Sequence, residues 1–280
     1  MLSRMSDHQD APQFLAARRT DQRPDEWVRS IGDVFATFDA RTQDSGNVSY
    51  GVSVGGDRYF IKTAGASDGS EPYLSFSEMV DLLRNAVRIS RSVTHPALPR
   101  LHAVVESSEG PMLIYDWACG ELVRTVPERI RQLPVSEVVD LLGTVFDVHA
   151  ILAAVGWIAV DFYDGSMIYH FERRDLRLVD IDHYRHGPFT NQMGRMFGSS
   201  RFMAPEEFEA GAAIDQQTNV FTMGRTVAVL LSDGTLGREP FRGNDAQYEI
   251  VVRACNADRD HRHRSLGDFP ASWLAAGTAN

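Results

Sequence analysis

An α+β fold in two parts is predicted, with a small β-rich N-terminal part carrying one helix and a larger helical C-terminal part. Three observations predict it. Short β-like runs broken by glycine turns crowd the stretch 46–115. One long segment of helical period, 75–93, interrupts them. After Gly120 helical periodicity takes over for most of the chain.

Taken in order, residues 1–24 are polar, end at Pro24, and are expected to form a loosely held leader. An amphipathic helix is predicted from Trp27 to Ala40. Gly46–Val54, Arg58–Thr63 and Ala103–Glu106 read as strands, the first two joined by the turn Gly55-Gly56-Asp57. Between them lies the helix Ser75–Val93, on which Met79, Leu82, Leu83, Val87 and Ile89 recur at helical spacing until Pro96 and Pro99 close it off. A strand over Met112–Tyr115 runs out at Gly120. Ser136–Ala154 is a strong helix, entered through Pro134 and stopped near Gly156. Strands over Ser166–Tyr169 and Leu176–Val179 bracket a charged turn, and 216–232 and 246–256 read as helices. The expected divisions are 1–24, 25–117 and 118–280, the last two joined near Asp116–Gly120, with no internal repeat.

Composition narrows the function. An apolar fraction of 43% with 24% charged residues supports a packed core. The net charge of −10 disfavours a phosphate backbone as partner, so no nucleic acid is expected. No run approaches the roughly 18 apolar residues of a membrane span, and the N-terminus lacks the apolar region of a secretory signal. Cys119 and Cys255, far apart, read as reduced thiols, and no His or acidic cluster has zinc-site spacing. A cytoplasmic protein is expected.

The chemistry-bearing segments come next. Gly46-Asn-Val-Ser-Tyr-Gly51 suits a backbone approaching phosphates, though two glycines at this spacing more often mark a plain hairpin turn. Lys62 closes the apolar run Tyr59-Phe-Ile-Lys62. His95-Pro96 follows the helix, and Met112-Leu-Ile-Tyr-Asp-Trp117 runs to Gly120-Glu121. Farther on stand Gly156-Trp-Ile-Ala-Val-Asp161-Phe-Tyr-Asp-Gly-Ser166, then Leu176-Arg-Leu-Val-Asp180-Ile-Asp182, then Gly198-Ser-Ser-Arg-Phe-Met-Ala204-Pro-Glu206. An Asp in a turn is commonly a turn former; an Asp-x-Asp pair closing a strand also suits a metal.

In this order and at these spacings the segments resemble a divergent bacterial-type Ser/Thr protein kinase over about residues 42–274. The resemblance implies a two-lobed protein-kinase-like fold that binds ATP and Mg²⁺ in a cleft and moves the γ-phosphate to a hydroxyl of a protein or a small molecule. It implies that Gly46 and Gly51 approach the phosphates, Lys62 grips them, and Asp161 accepts the hydroxyl proton. Asp180, with Ser166 and Asp182, would hold the metal, Asp164 offering a further oxygen. The backbone of Tyr115 and Trp117 would meet the adenine edge, Ile114 would be the gatekeeper, and Glu121 would sit near the ribose. Glu206 would pair with a buried Arg262, and Asn219 would stand where an Asp braces the catalytic loop. Departures are evident. Val48 replaces a glycine, Ala86 the Glu that pairs with the Lys (leaving Glu78 as a substitute), Ala159 and Val160 a His and an Arg, and Tyr163 a Lys. These departures keep a second reading open, a nucleotide-binding or scaffolding pseudokinase.

Overall fold

The computed structural model describes residues 12–39, 41, 46–65 and 74–278. The class is α+β, and the chain divides into two compact units, 1–90 with 100–117 and 91–99 with 118–280.

In the first unit, helix α1 (Pro24–Ile31) leads into strands β1 (Asp33–Phe38), β2 (Val48–Val54) and β3 (Asp57–Thr63). Helix α2 (Phe76–Ser92) and strands β4 (Leu101–Ser107) and β5 (Gly110–Asp116) follow. The strands form one five-stranded antiparallel sheet in the order β1-β2-β3-β5-β4. Val54 pairs with Asp57 around Gly55 and Gly56, whose φ values of +61° and +95° give the two left-handed positions of a tight hairpin. Period-two alternation sends Tyr50, Val52, Tyr59, Ile61, Met112 and Ile114 to one face, where they pack with Trp27 and Val28 of α1. On the opposite face α2 lays Met79, Leu83, Ala86 and Val87 against Leu113.

Two expectations are corrected here. The helix over Trp27–Ala40 ends at Ile31, because Val34, Phe35, Thr37 and Phe38 are β-formers that alternate along an edge strand. Gly32 makes the switch possible, since a Cβ there would lie 2.3 Å from the Ser53 carbonyl oxygen. Residues 1–11 of the expected leader lie outside the described residues, but the rest is docked. Phe14 packs edge-on against Tyr59 at 5.2 Å, and residues 18–20 extend the sheet by hydrogen bonds to Glu106 of β4.

The second unit opens with β6 (Glu121–Leu122), α3 (Pro127–Gln132) and the long α4 (Val135–Ala154). It continues through β7 (Trp157–Ile158), β8 (Met167–His170), β9 (Asp175–Leu178), β10 (Arg185–His186), β11 (Phe189–Thr190) and β12 (Ala213–Ile214). Helices α5 (Gln216–Leu231), α6 (Asp245–Ala254) and α7 (Asp268–Thr278) close it. Helix α5 is buried nearly all round. Residues 92–97 belong to this unit by hydrogen bonds of Trp157 Nε1 to Ser92 Oγ (2.8 Å) and of the Leu178 amide to the Ala97 carbonyl (2.8 Å). Among the described residues no helix is long and apolar enough to cross a membrane.

Candidate functional site

In the first unit the sheet register fixes what surrounds Lys62. It pairs with Ser49 on β2 and Leu113 on β5, so alternation places Ser49, Gly51, Phe60 and Lys62 on one face, away from the Trp27 core. Ser49 Oγ is buried, the residue being 1% exposed, and has no hydrogen-bond partner among the described residues. An unsatisfied buried hydroxyl beside a lysine is the kind of group a phosphate oxygen satisfies. Gly46, at φ +76°, precedes β2.

Several sequence expectations change in this unit. Gly51 lies in the middle of β2, paired with Ala36 and Phe60, within the strand expected over Gly46–Val54 and not in the turn its glycine segment also suits; a Cβ there would lie 2.7 Å from the Phe35 ring and 2.9 Å from Trp117. At Trp117 the amide expected to meet an adenine edge is already engaged. Tyr115 lies on an interior strand between Phe60 and Leu101, and the Trp117 amide donates to the Arg58 carbonyl at 3.3 Å. Ile114 points into the Trp27 core, and Leu113 takes the place beside Lys62. Glu78 caps α2, its carboxylate accepting from the Ser75 amide (2.8 Å) and hydroxyl (2.6 Å). It is therefore not held as a partner for Lys62, and Ala86 adds only apolar packing.

In the second unit, pairing of Met167 with Leu178 in the β8–β9 hairpin brings the residues just before and just after it to one end. The Val179 amide bonds the Ser166 carbonyl at 2.9 Å, so Ser166 and Asp180 are neighbours there despite their separation in sequence. Asp161 (φ +60°) and Asp180 (φ +58°) are two of the three described non-glycine residues with left-handed backbone. Asp tolerates that region better than most residues, but holding it requires surrounding structure. The Tyr163 phenol stands among these acids. Burial, then the charge of Asp161, with smaller effects from Asp180 and Asp164, raise its pKa against the opposing Arg124 guanidinium.

Asp164 is buried, and Arg201 pairs with one of its oxygens. The other oxygen and Ser166 Oγ are buried without a partner among the described residues. Asp182 is buried two residues beyond Asp180. Glu121 pairs across β6 with Tyr169 and is ion-paired to Arg129. Among the described residues no three His, Cys, Asp or Glu side chains are arranged to hold a metal by themselves. Mg²⁺ asks for less, taking one or two carboxylates with waters and phosphate oxygens. Asp180, the second Asp164 oxygen and Ser166 fit that use.

Three braces hold the acidic loops. Asn219 accepts from the Ala159 amide (2.7 Å) and donates to the Ala159 carbonyl (2.8 Å). An ionised Asp there would make only the first bond. Glu206 and Arg262 form the buried two-pronged pair expected from the sequence, at 2.7 and 2.9 Å. His149, which the sequence reading missed because it is one residue on an apolar helix, packs on Phe162 at 4.4 Å. Its ring nitrogens meet the Val145 carbonyl and the Tyr184 hydroxyl, each at 2.7 Å. Sequence reading also missed Glu207, which lines a small recess with Asp161, Ser199 and Thr222. Burial pushes its carboxyl up to about 7, despite the Ala204 amide donated to it.

Burial holds His149 down to about 4, so it is neutral in the fold. The unfolded chain takes up its proton near 6.5, and the native state does so only near 4. This contribution to stability is therefore complete above about 6.5 and is lost as pH falls toward 4, in total on the order of 3 kcal/mol. His149→Gln is expected to flatten that limb of the unfolding free energy against pH, measured in urea. An unchanged slope would refute the neutral buried imidazole.

No protein-family model matches this chain.

Proposed function

We propose that the chain is an ATP- and Mg²⁺-dependent phosphotransferase, of the Ser/Thr protein kinase type, that transfers the γ-phosphate to a hydroxyl. The observation that carries this reading is the end of the β8–β9 hairpin. There Asp161 and Asp180 are held in left-handed backbone, next to orphaned oxygens of Asp164 and Ser166. In this reading Asp161 accepts the hydroxyl proton, Asp180 with Asp164 and Ser166 holds the metal, and Lys62 with Ser49 grips phosphate oxygens. Mg²⁺, when bound, neutralises charge developing on the phosphates. Phosphoryl transfer depends mainly on positioning and electrostatics, which suits a chain that keeps the Lys and both acids while losing other family residues. The segment from Gly198 to Glu206, pinned by Arg262, supports a protein acceptor over a small-molecule alcohol.

A second reading, a nucleotide-binding or scaffolding module with no turnover, is favoured by Arg201, which occupies the Asp164 carboxylate, and by the apolar Ala86. Thermal unfolding of the intact chain with Mg²⁺–ATP separates the two from each other and from no function of this kind. Under the first reading the melting temperature rises, ATP is consumed, and Lys62→Ala loses at least tenfold in nucleotide affinity while still melting cooperatively. A rise without turnover supports the module. No rise at saturating Mg²⁺–ATP defeats both.

A further inference from the structure

We infer that the first unit holds a nucleotide base by stacking on an aromatic face rather than by the base's hydrogen-bonding edge, so that purine nucleoside triphosphates bind with little regard to which purine they carry. The inference rests on the reading that this unit grips a triphosphate, and it adds the class of nucleotide.

The edge contacts are spoken for inside the sheet. Strand β5 has neighbours on both sides, the Asp116 amide donates to the Arg100 carbonyl at 3.1 Å, and the Trp117 amide donates to the Arg58 carbonyl at 3.3 Å. The Asp116 and Trp117 amides are thus not open to an acceptor on a base edge, and pairing of donors with acceptors on that edge is how direct readout discriminates A from G. What the face offers instead is rings. Trp117 lies stacked against Phe38 with centroids 6.3 Å apart and 26° between planes, and edge-on to Phe35 at 4.8 Å; Phe60 is 6.4 Å away.

Gly51 makes that arrangement possible, because any side chain would displace Phe35 and Trp117 from the sheet. Phe35 remains 42% exposed, and the Arg58 guanidinium lies 5.0 Å from its ring centroid. Every base has a π-face, so a ring platform binds bases with little selectivity. The phosphate end is marked on the same face. Lys62 follows Phe60 by one alternation, about 7 Å along the strand, and opposite it lies the buried Ser49 hydroxyl that has no partner among the described residues.

The test measures dissociation constants of the intact chain for ATP, GTP and inorganic tripolyphosphate, each at the same Mg²⁺ concentration. ATP and GTP are expected within about threefold of each other. Trp117→Ala should weaken both nucleotides roughly tenfold while leaving tripolyphosphate unchanged, and Lys62→Ala should weaken all three. Phe35→Ala, at an exposed ring, repeats the Trp117 experiment with less risk to the fold and should reduce nucleotide but not tripolyphosphate affinity. ATP bound more than tenfold tighter than GTP would overturn the inference while leaving the phosphotransferase reading in place. If Phe35→Ala leaves both nucleotide affinities unchanged, the platform is refuted. If none of the three ligands binds, the phosphotransferase reading falls and takes this inference with it.

Discussion

Arg262→Met is expected to lower the unfolding free energy by about 3–5 kcal/mol, the cost of leaving the second member of a buried ion pair alone. Arg262 is 1% exposed and meets both oxygens of Glu206 at 2.7 and 2.9 Å. Its remaining donors reach the carbonyls of Asn256 (2.7 Å), Gln217 (3.2 Å) and Ala257 (3.3 Å), and the guanidinium stands 4.9 Å from the Phe221 ring centroid. Removing it strands a buried carboxylate and three carbonyls at once. Arg259 provides the control. It lies 3.4 Å from the same carboxylate but is a quarter exposed by side chain, so Arg259→Ala should cost about 1 kcal/mol or less. Urea midpoints at neutral pH measure both, and equal losses would show that Arg262 is no more than another peripheral partner.

The same pair makes a pH prediction. Burial pushes the Glu206 carboxyl up, but the bonds from Arg262 more than offset this and hold it below its ordinary value of 4.5. Its contribution is therefore complete above the unfolded value and is lost as pH falls through the lower folded one. Arg262→Met should remove that acid limb. His149 adds its own loss of stability at higher pH, between about 6.5 and 4, where Glu207, raised to about 7, contributes the opposite slope, so the difference between wild type and His149→Gln isolates the histidine limb.

What was legible in the sequence were features whose cause is local or whose partners are both distinctive. The Gly55-Gly56 turn needs left-handed backbone at both positions, and the Ser75–Val93 helix carries its period in its own residues. The Glu206–Arg262 pair was legible across a long separation only through the resemblance, which implies a buried arginine partner for the Glu of the Ala-Pro-Glu segment. Features set by neighbours were not. Strand β1 reads as helix until β2 pairs with it, because Val34, Phe35 and Phe38 also fit one side of a helix.

Gly51 fell both in the strand expected over Gly46–Val54 and in the glycine segment that the resemblance brings to a phosphate, and only the Phe35 and Trp117 rings show why that strand position needs a glycine. The Trp117 amide was read as open to a ligand, and only the ladder geometry shows it bonded to Arg58. Glu78 is similar: a capping box and a salt-bridge acid look alike in sequence, and the 2.6 Å bond from the Ser75 hydroxyl decides between them.

If the chain is the phosphotransferase proposed above, Asp161→Asn and Asp180→Asn are each expected to reduce phosphoryl transfer by about 10²–10⁴-fold, and the choice of asparagine follows from the backbone. Both positions have φ near the left-handed minimum, +60° and +58°. Alanine there would add about 1–2 kcal/mol of steric cost, confounding lost activity with lost structure, whereas asparagine accepts that conformation and keeps the shape. The two variants should differ in what they bind. In the phosphotransferase reading Asp180→Asn removes the proposed metal ligand and should abolish the rise in melting temperature with Mg²⁺–ATP. Asp161→Asn, which in that reading removes the proton acceptor, should keep that rise.

Glycine at either position supplies the structural control, since it relieves the backbone constraint and removes the carboxylate together. A variant that loses transfer as Asn and as Gly, while stability differs between them, has lost chemistry rather than fold. Wild-type transfer rates in both Asn variants would mean that the acids at the end of the β8–β9 hairpin hold the loops in place and do no more.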